Sequence, residues 1–181
     1  MIILIAGDTH TGKTLLAQKL LERLGYPYLS IDHLKMGLIR SNQTDLIPTS
    51  GDKELTEYLW PIVREMIKTN IENKQNLIVE GCYIPFDFAD SFTEGYLREI
   101  QYICLAFTAR YIDEHSEDIC ANESVIEKRI ASSDYTVDDM KAANAHNEAM
   151  CQQHGLKCIL VDDNYDTDRM ADEAAIVLRE S

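Results

Sequence analysis

Residues Gly7 to Thr14 read Gly-Asp-Thr-His-Thr-Gly-Lys-Thr, and they restrict what can stand on either side of them. The spacing G-x-x-x-x-G-K-[ST] is that of a loop whose backbone N–H groups cradle phosphate oxygens. It has physical meaning only between a strand and a helix. Both flanks fit. Met1 to Ala6 is an apolar, β-branched run suited to a buried parallel strand, and Leu15 to Leu24 repeats its apolar residues at helical spacing. The helix N-terminus turns free N–H groups and a positive dipole end toward the loop. Gly7 and Gly12 let the backbone curl without a Cβ, so that successive N–H groups converge. Asp8, Thr9, His10 and Thr11 fill the variable positions and are expected to act through their backbone amides. Lys13 is expected to reach the β and γ phosphates of a nucleotide, and the Thr14 hydroxyl to take a Mg²⁺ ion. The bland alternative is a glycine-containing βα turn with an incidental lysine.

The rest of the chain alternates strand-like runs with helical patterns, which implies parallel βαβ units. Tyr26 to Ile31 reads as a second strand, followed by a helical pattern over Asp32 to Ile39 and a polar loop over Ser41 to Lys53. Leu55, Tyr58, Leu59, Ile62, Val63, Met66, Ile67 and Ile71 lie on one helical face, with Pro61 predicting a kink or break near Trp60. Leu77 to Val79, ending in Glu80-Gly81, is a third strand, Ile100 to Phe107 a fourth and Ile159 to Val161 a fifth. Thr167 to Leu178 closes the chain as a helix. About fifty residues separate the last two strands, too many for a plain crossover. Helices are expected there over Val125 to Ala131 and over Val137 to His154, the latter capped by the pair Thr136 and Asp139. The polar stretch 108–135 reads as a lid-like insertion. The expected architecture is one α/β domain over 1–181, three-layered, with a five-stranded parallel sheet.

Composition narrows the functions. The chain of 181 residues carries 31 acidic against 17 basic residues, a net charge of −14. That field repels nucleic acid, and no basic cluster reverses it. It repels nucleotides too, so phosphate binding has to come from loop amides, Mg²⁺ and a few local basic residues. No apolar run is long enough to cross a bilayer. The first residues lack the basic leader of a signal peptide, which points to the cytoplasm. Cys82, Cys104, Cys120, Cys151 and Cys158 are odd in number and contain no C-x-x-C pair, so free thiols and no zinc site are expected.

The chain resembles the small P-loop kinases of the adenylate kinase and shikimate kinase type. Tyr28-Leu29-Ser30-Ile31-Asp32-His33-Leu34-Lys35-Met36-Gly37-Leu38-Ile39-Arg40 is similar to the second-strand region of 2-phosphoglycerate kinases. It also resembles the zeta-toxin and chloramphenicol phosphotransferase branch. Leu77-Ile78-Val79-Glu80-Gly81 looks like the third-strand end of the same kinases, where an acidic residue and a glycine lie beside the phosphate loop. The resemblance implies ATP as co-substrate, Mg²⁺ as cofactor, and an acidic residue after the second strand that faces the acceptor hydroxyl. Adenylate kinases carry Asp-Gly-Phe-Pro-Arg at the third strand. Here Glu80-Gly81-Cys82-Tyr83-Ile84-Pro85 has no arginine, which argues against a nucleoside monophosphate acceptor.

Ligands of open α/β sheets bind beyond the carboxyl ends of the strands. Asp32, one step past the second strand, is placed to accept the acceptor's proton or hold a Mg²⁺ water, unless it only caps the next helix. His33 and Arg40 follow on that helix as candidate substrate contacts. Glu80 ends a buried strand, where a lone charge is costly, and holding Mg²⁺ through water would explain it. Gly81 would admit a close approach of substrate, and Tyr83 would line the acceptor pocket. Arg110 and Arg129 are candidate lid arginines, with Arg129 the better placed to neutralise charge on the transferring group; a surface ion pair is the plain alternative. Asp163 to Thr167 is the expected wall of a base pocket. The best reading is a kinase moving the γ-phosphate of ATP to the hydroxyl of a small acidic metabolite, without nucleic acid or membrane partners. A nucleotide kinase and a toxin-like kinase acting on a sugar nucleotide are the alternatives. A nucleotide-binding switch would need D-x-x-G and N-K-x-D, and neither occurs.

Overall fold

The computed structural model describes residues 1–121 and 135–177. Strand β1 (Ile2–Gly7) is buried along its whole length, as a parallel strand covered on both faces must be. It lies at the centre of an all-parallel, five-stranded sheet of order β2-β3-β1-β4-β5. The others are β2 (Tyr28–Ser30), β3 (Leu77–Glu80), β4 (Ile100–Phe107) and β5 (Lys157–Val161). The helices are α1 (Lys13–Leu24), α2 (Ile31–Arg40), α3 (Asp52–Glu72), the single turn α4 (Glu94–Leu97), α5 (Ala109–Ala121), α6 (Val137–His154) and α7 (Thr167–Val177). Among the described residues no helix is long and apolar enough to cross a membrane.

Alternate residues of β1 feed two cores. Ile2, Leu4 and Ala6 face Leu59, Trp60, Val63 and Ile67 of α3 together with Tyr102 and Cys104 of β4. Ile3 and Ile5 face Leu16 and Leu20 of α1, Ile112 of α5, Met140 of α6 and Ala171 of α7. Each such fully buried aliphatic side chain contributes about 1.5–3 kcal/mol. The chain leaves β1 at the point where connections diverge to the two sides of the sheet. Ile5, Ser30 and Glu80 are side by side in register, so three carboxyl ends meet there. This is the crevice in which open α/β sheets take their ligands.

Pro61 lies inside α3 without ending it. Its ring is on the exposed face, and the carbonyl it leaves without a helical donor belongs to exposed Glu57, where water can serve it. The stretch 108–135, read as a lid-like insertion, opens on a helix. Its first half is α5, which buries Tyr111, Ile112 and Ile119 in the second core. The helix expected over 125–131 lies outside the described residues. By contrast, α6 has the expected bounds, and its capping box is complete. Thr136 Oγ1 accepts the Asp139 N–H at 3.1 Å while Asp139 Oδ2 accepts the Thr136 N–H at 3.0 Å.

Helix α6 is tied to the end of β4 by Asn144, which is buried. Its Oδ1 accepts the Phe107 N–H at 2.8 Å, and its Nδ2 donates to the Met140 carbonyl at 2.8 Å. Asn144→Ala leaves a buried N–H without its acceptor, so we predict a loss of about 1–3 kcal/mol in urea unfolding. A loss below about 0.5 kcal/mol would show that the amide is satisfied by other means.

Candidate active site

The phosphate loop is held by its glycines in a shape that other residues would not accept. Gly7 has φ 141°, and a Cβ there would come within 2.5 Å of the Leu105 carbonyl oxygen on β4. Gly12, at φ 80°, takes the cap position of α1, and a Cβ would collide with the Tyr165 ring. The Tyr165 hydroxyl donates to the Thr11 carbonyl at 3.2 Å. Thr11, fully buried, donates from Oγ1 to the Asp8 carbonyl at 2.8 Å, and the Lys13 ammonium donates to the same carbonyl at 2.7 Å. Tyr135, which precedes α6, donates its hydroxyl to Asp8 Oδ2, and its ring stacks on His10 at 6.0 Å. The Asp8 side chain thus anchors the loop, a task the spacing did not assign to it. Burial raises the Asp8 pKa above the ordinary carboxylate value, against the pull of Tyr135 and Lys13.

Asp32 lies in the first turn of α2, but Ser30 takes the cap position. Asp32 is therefore not the N-cap residue itself. Its carboxylate pairs with the Lys35 ammonium at 2.6 Å, and Lys35 also donates to the Tyr83 hydroxyl at 2.9 Å. The same ammonium stands 4.9 Å from the centre of the Tyr83 ring. Cys82, between Gly81 and Tyr83, links the two halves. Burial pushes its thiol up, the nearby Lys13 ammonium pulls it down, and Asp32 and Asp8 act on it as further neighbours. Lys13, Asp8, Asp32, Lys35, Cys82 and Tyr83 thus form one group at the carboxyl edge of the sheet.

Glu80 ends β3 at 1% exposure, next to Ile5 of β1 and Ser30 of β2. Thr14, the second residue of α1, is half-buried. Gly81 is required by packing, since a Cβ would lie 2.9 Å from Ile31 Cβ. His33 and Arg40 are exposed on α2, and Arg40 ends that helix about 12 Å along the axis from Asp32. Arg110 fits the ion-pair reading. It pairs with Asp162 at 2.7 Å and with Asp163, joining the start of α5 to the segment after β5. Arg129 lies outside the described residues. The expected base wall divides: Tyr165 turns onto the phosphate loop, while Asp163, Asn164 and Asp166 line a cavity of ≈ 210 Å³ between β5 and α7.

Sequence reasoning missed Lys35, Cys82, Tyr135 and Tyr165 as named parts of the site. Lys35 carried a local signal, being the i+3 ion-pair partner of Asp32 on one helix. The tyrosines come from segments remote in sequence and carried none.

No protein-family model matches the chain, and no curated protein sequence matches it. Solved structures do. Shikimate kinase from Aquifex aeolicus superposes with a TM-score of 0.60 at 13% identity, covering 99% of this chain and 97% of that one. A sugar kinase from Janibacter sp. gives 0.60 at 13%, covering 98% and 94%. Deoxyadenosine kinase from M. mycoides gives 0.56 at 14%, covering 100% of both chains. The chain therefore has the α/β P-loop fold that these structures share, with its parallel five-stranded sheet.

Lys35 gives this site a pH signature. Burial works against its charge, but hydrogen bonds with Asp32 and Tyr83 outweigh that and raise its pKa above 10.5. A cation with a raised folded-state pKa stabilises the fold below its unfolded value and stops doing so as pH rises through the folded one. Wild type should therefore exceed Lys35→Met in urea stability by a constant margin at neutral pH, and the gap should close above pH 10.5. A margin that persists through strong alkali would mean that Lys35 acts by packing alone.

Proposed function

We propose that this chain is an ATP-dependent kinase that phosphorylates a hydroxyl of a small acidic metabolite of the 2-phosphoglycerate class. The observation that carries the reading is the grouping of Lys13 with Asp32 and Lys35 around Cys82, at the end of the sheet where the phosphate loop turns. Phosphoryl transfer asks for positioning and charge neutralisation rather than covalent chemistry. Lys13 and the loop amides would hold the β and γ phosphates. The acceptor oxygen would bond to the γ-phosphorus as the bond to ADP breaks, and its proton would pass to Asp32. Lys35, at 2.6 Å, orients that carboxylate. That shikimate kinase and a sugar kinase share this fold supports an alcohol acceptor.

The oxygen donors present fit Mg²⁺, a hard cation. Thr14 and buried Glu80 would hold it, and when bound it would neutralise charge on the β and γ phosphates. On the acceptor side, α2 offers Lys35 and Arg40 in a chain of net charge −14. Such cations favour an acceptor bearing phosphate or carboxylate, which a guanidinium binds with two parallel hydrogen bonds.

ADP release measured with Mg-ATP against phosphoglycerates, sugars, nucleosides, nucleotides and sugar nucleotides tests the reading. Turnover should be highest with a phosphate- or carboxylate-bearing alcohol. On that acceptor, Asp32→Asn should lower kcat by about 10²- to 10⁴-fold with little change in ATP affinity. A normal rate in Asp32→Asn would remove it from the chemistry. Arg40→Lys should raise the acceptor KM and leave the ATP KM nearly unchanged. A neutral acceptor, or a variant indistinguishable from wild type, would refute the acidic-substrate assignment and favour the toxin-like or antibiotic-kinase branch.

A further inference from the structure

Three of the five cysteines meet inside the protein. Cys104 of β4, Cys151 of α6 and Cys158 of β5 hold their sulfurs all within 4.8 Å of one another. No C-x-x-C pattern announces this, because the topology makes the group. Cys104 and Cys158 are register partners on adjacent parallel strands, and Cys151 comes down from the last turn of α6. Cys104 and Cys151 are buried, whereas Cys158 is only half-buried and offers a route from solvent.

A fourth group belongs to the cluster. Tyr102 precedes Cys104 by two residues and so shares its face of β4. Its side chain is 6% exposed, its ring stacks on Phe88 at 5.2 Å, and its hydroxyl has no hydrogen-bond partner among the described residues. A buried hydroxyl without a partner costs about 1–3 kcal/mol. Burial raises its pKa, and Cys104, Cys151 and Cys158 are its nearest titratable neighbours in that environment. Three thiols alone would pass as small apolar core residues. Three converging thiols beside an orphaned phenol ask for something more.

We propose that Cys104, Cys151 and Cys158 bind one thiophilic d¹⁰ metal ion of the zinc and cadmium type, with the Tyr102 hydroxyl donating a hydrogen bond to a ligating sulfur. Tetrahedral zinc with its usual bond length sets its sulfurs about 3.8 Å apart, so the cluster need contract only slightly. Binding a divalent ion to three thiols releases three protons and leaves one excess negative charge on the sulfurs. The Tyr102 hydrogen bond offsets that charge, and solvent entering past Cys158 completes the coordination of zinc. A bound ion would join β4, β5 and α6 just before β5 leads to Tyr165 on the phosphate loop. The site is independent of the proposed phosphoryl transfer.

The experiment is titration of the full-length, reduced chain with Cd²⁺ alone, without nucleotide. A near-ultraviolet thiolate-to-cadmium absorption should rise to an end point of one ion per chain, with an increase in Tm. Cys158→Ser, at the half-buried position, should keep the circular dichroism of wild type and weaken Cd²⁺ binding more than ten-fold. Tyr102→Phe retains the stacked ring and should weaken it by about 10- to 100-fold. Cys120→Ser, at an exposed site, should bind as wild type does. Absence of the absorption band, an end point unaltered in Cys158→Ser, or equal loss in Cys120→Ser would overturn the proposal.

Discussion

The close approach of the phosphate loop to its neighbours is the constraint on which the site depends. Gly7 passes so near the Leu105 carbonyl of β4 that no side chain fits, and Gly12 passes equally near the Tyr165 ring. The loop is thus wedged between the end of the sheet and the segment that follows β5. Its interior is tied by Thr11 and Lys13, both donating to the Asp8 carbonyl, and its rim by Tyr135 on the Asp8 carboxylate. A left-handed turn at His10, φ 66°, completes the curl. Such backbone conformations cost energy and persist only where surrounding contacts over-determine them. Here those contacts come from β4, β5's trailing segment and the start of α6.

Around this wedge the acidic chain distributes charge by place. Most carboxylates lie on exposed surfaces, as Asp162 and Asp163 do where they pair with Arg110. Pairs of that kind are worth little. At the carboxyl edge of the sheet the balance differs. Lys13 and Lys35 are both buried there, each against oxygen acceptors, and Asp32 is shared between Lys35 and the space beside Cys82. Two buried ammonium groups in a chain of net charge −14 are a local exception suited to anionic ligands.

Much of the fold was legible from local pattern. The fourth strand and α6 appear with their expected bounds, because a long apolar run and a capping box are both read from adjacent residues. The second strand is shorter than its pattern. Pro27 cannot donate a ladder hydrogen bond, so the strand begins at Tyr28. Pro61 failed as a helix breaker because its exposed position lets water replace the lost bond. The stretch read as polar, from residue 108 on, opens as helix α5, since Tyr111, Ile112 and Ile119 supply it with a buried face. The loop Gly7 to Thr14 was read from its spacing, and Asp32 from its place one step past the second strand. Contacts across the sheet were not legible: Tyr135 on Asp8, Tyr165 on Thr11 and the three converging sulfurs each join residues that only the topology makes neighbours.

The central claim is that the wedged loop binds a nucleoside triphosphate through Lys13, and calorimetric titration of Mg-ATP into wild type and Lys13→Ala tests it most directly. Wild type should bind one nucleotide per chain, with ATP preferred over GTP only modestly. Lys13→Ala should lose that binding while keeping the circular dichroism of the parent. Equal affinity in the two proteins, or no binding by wild type, would contradict the account.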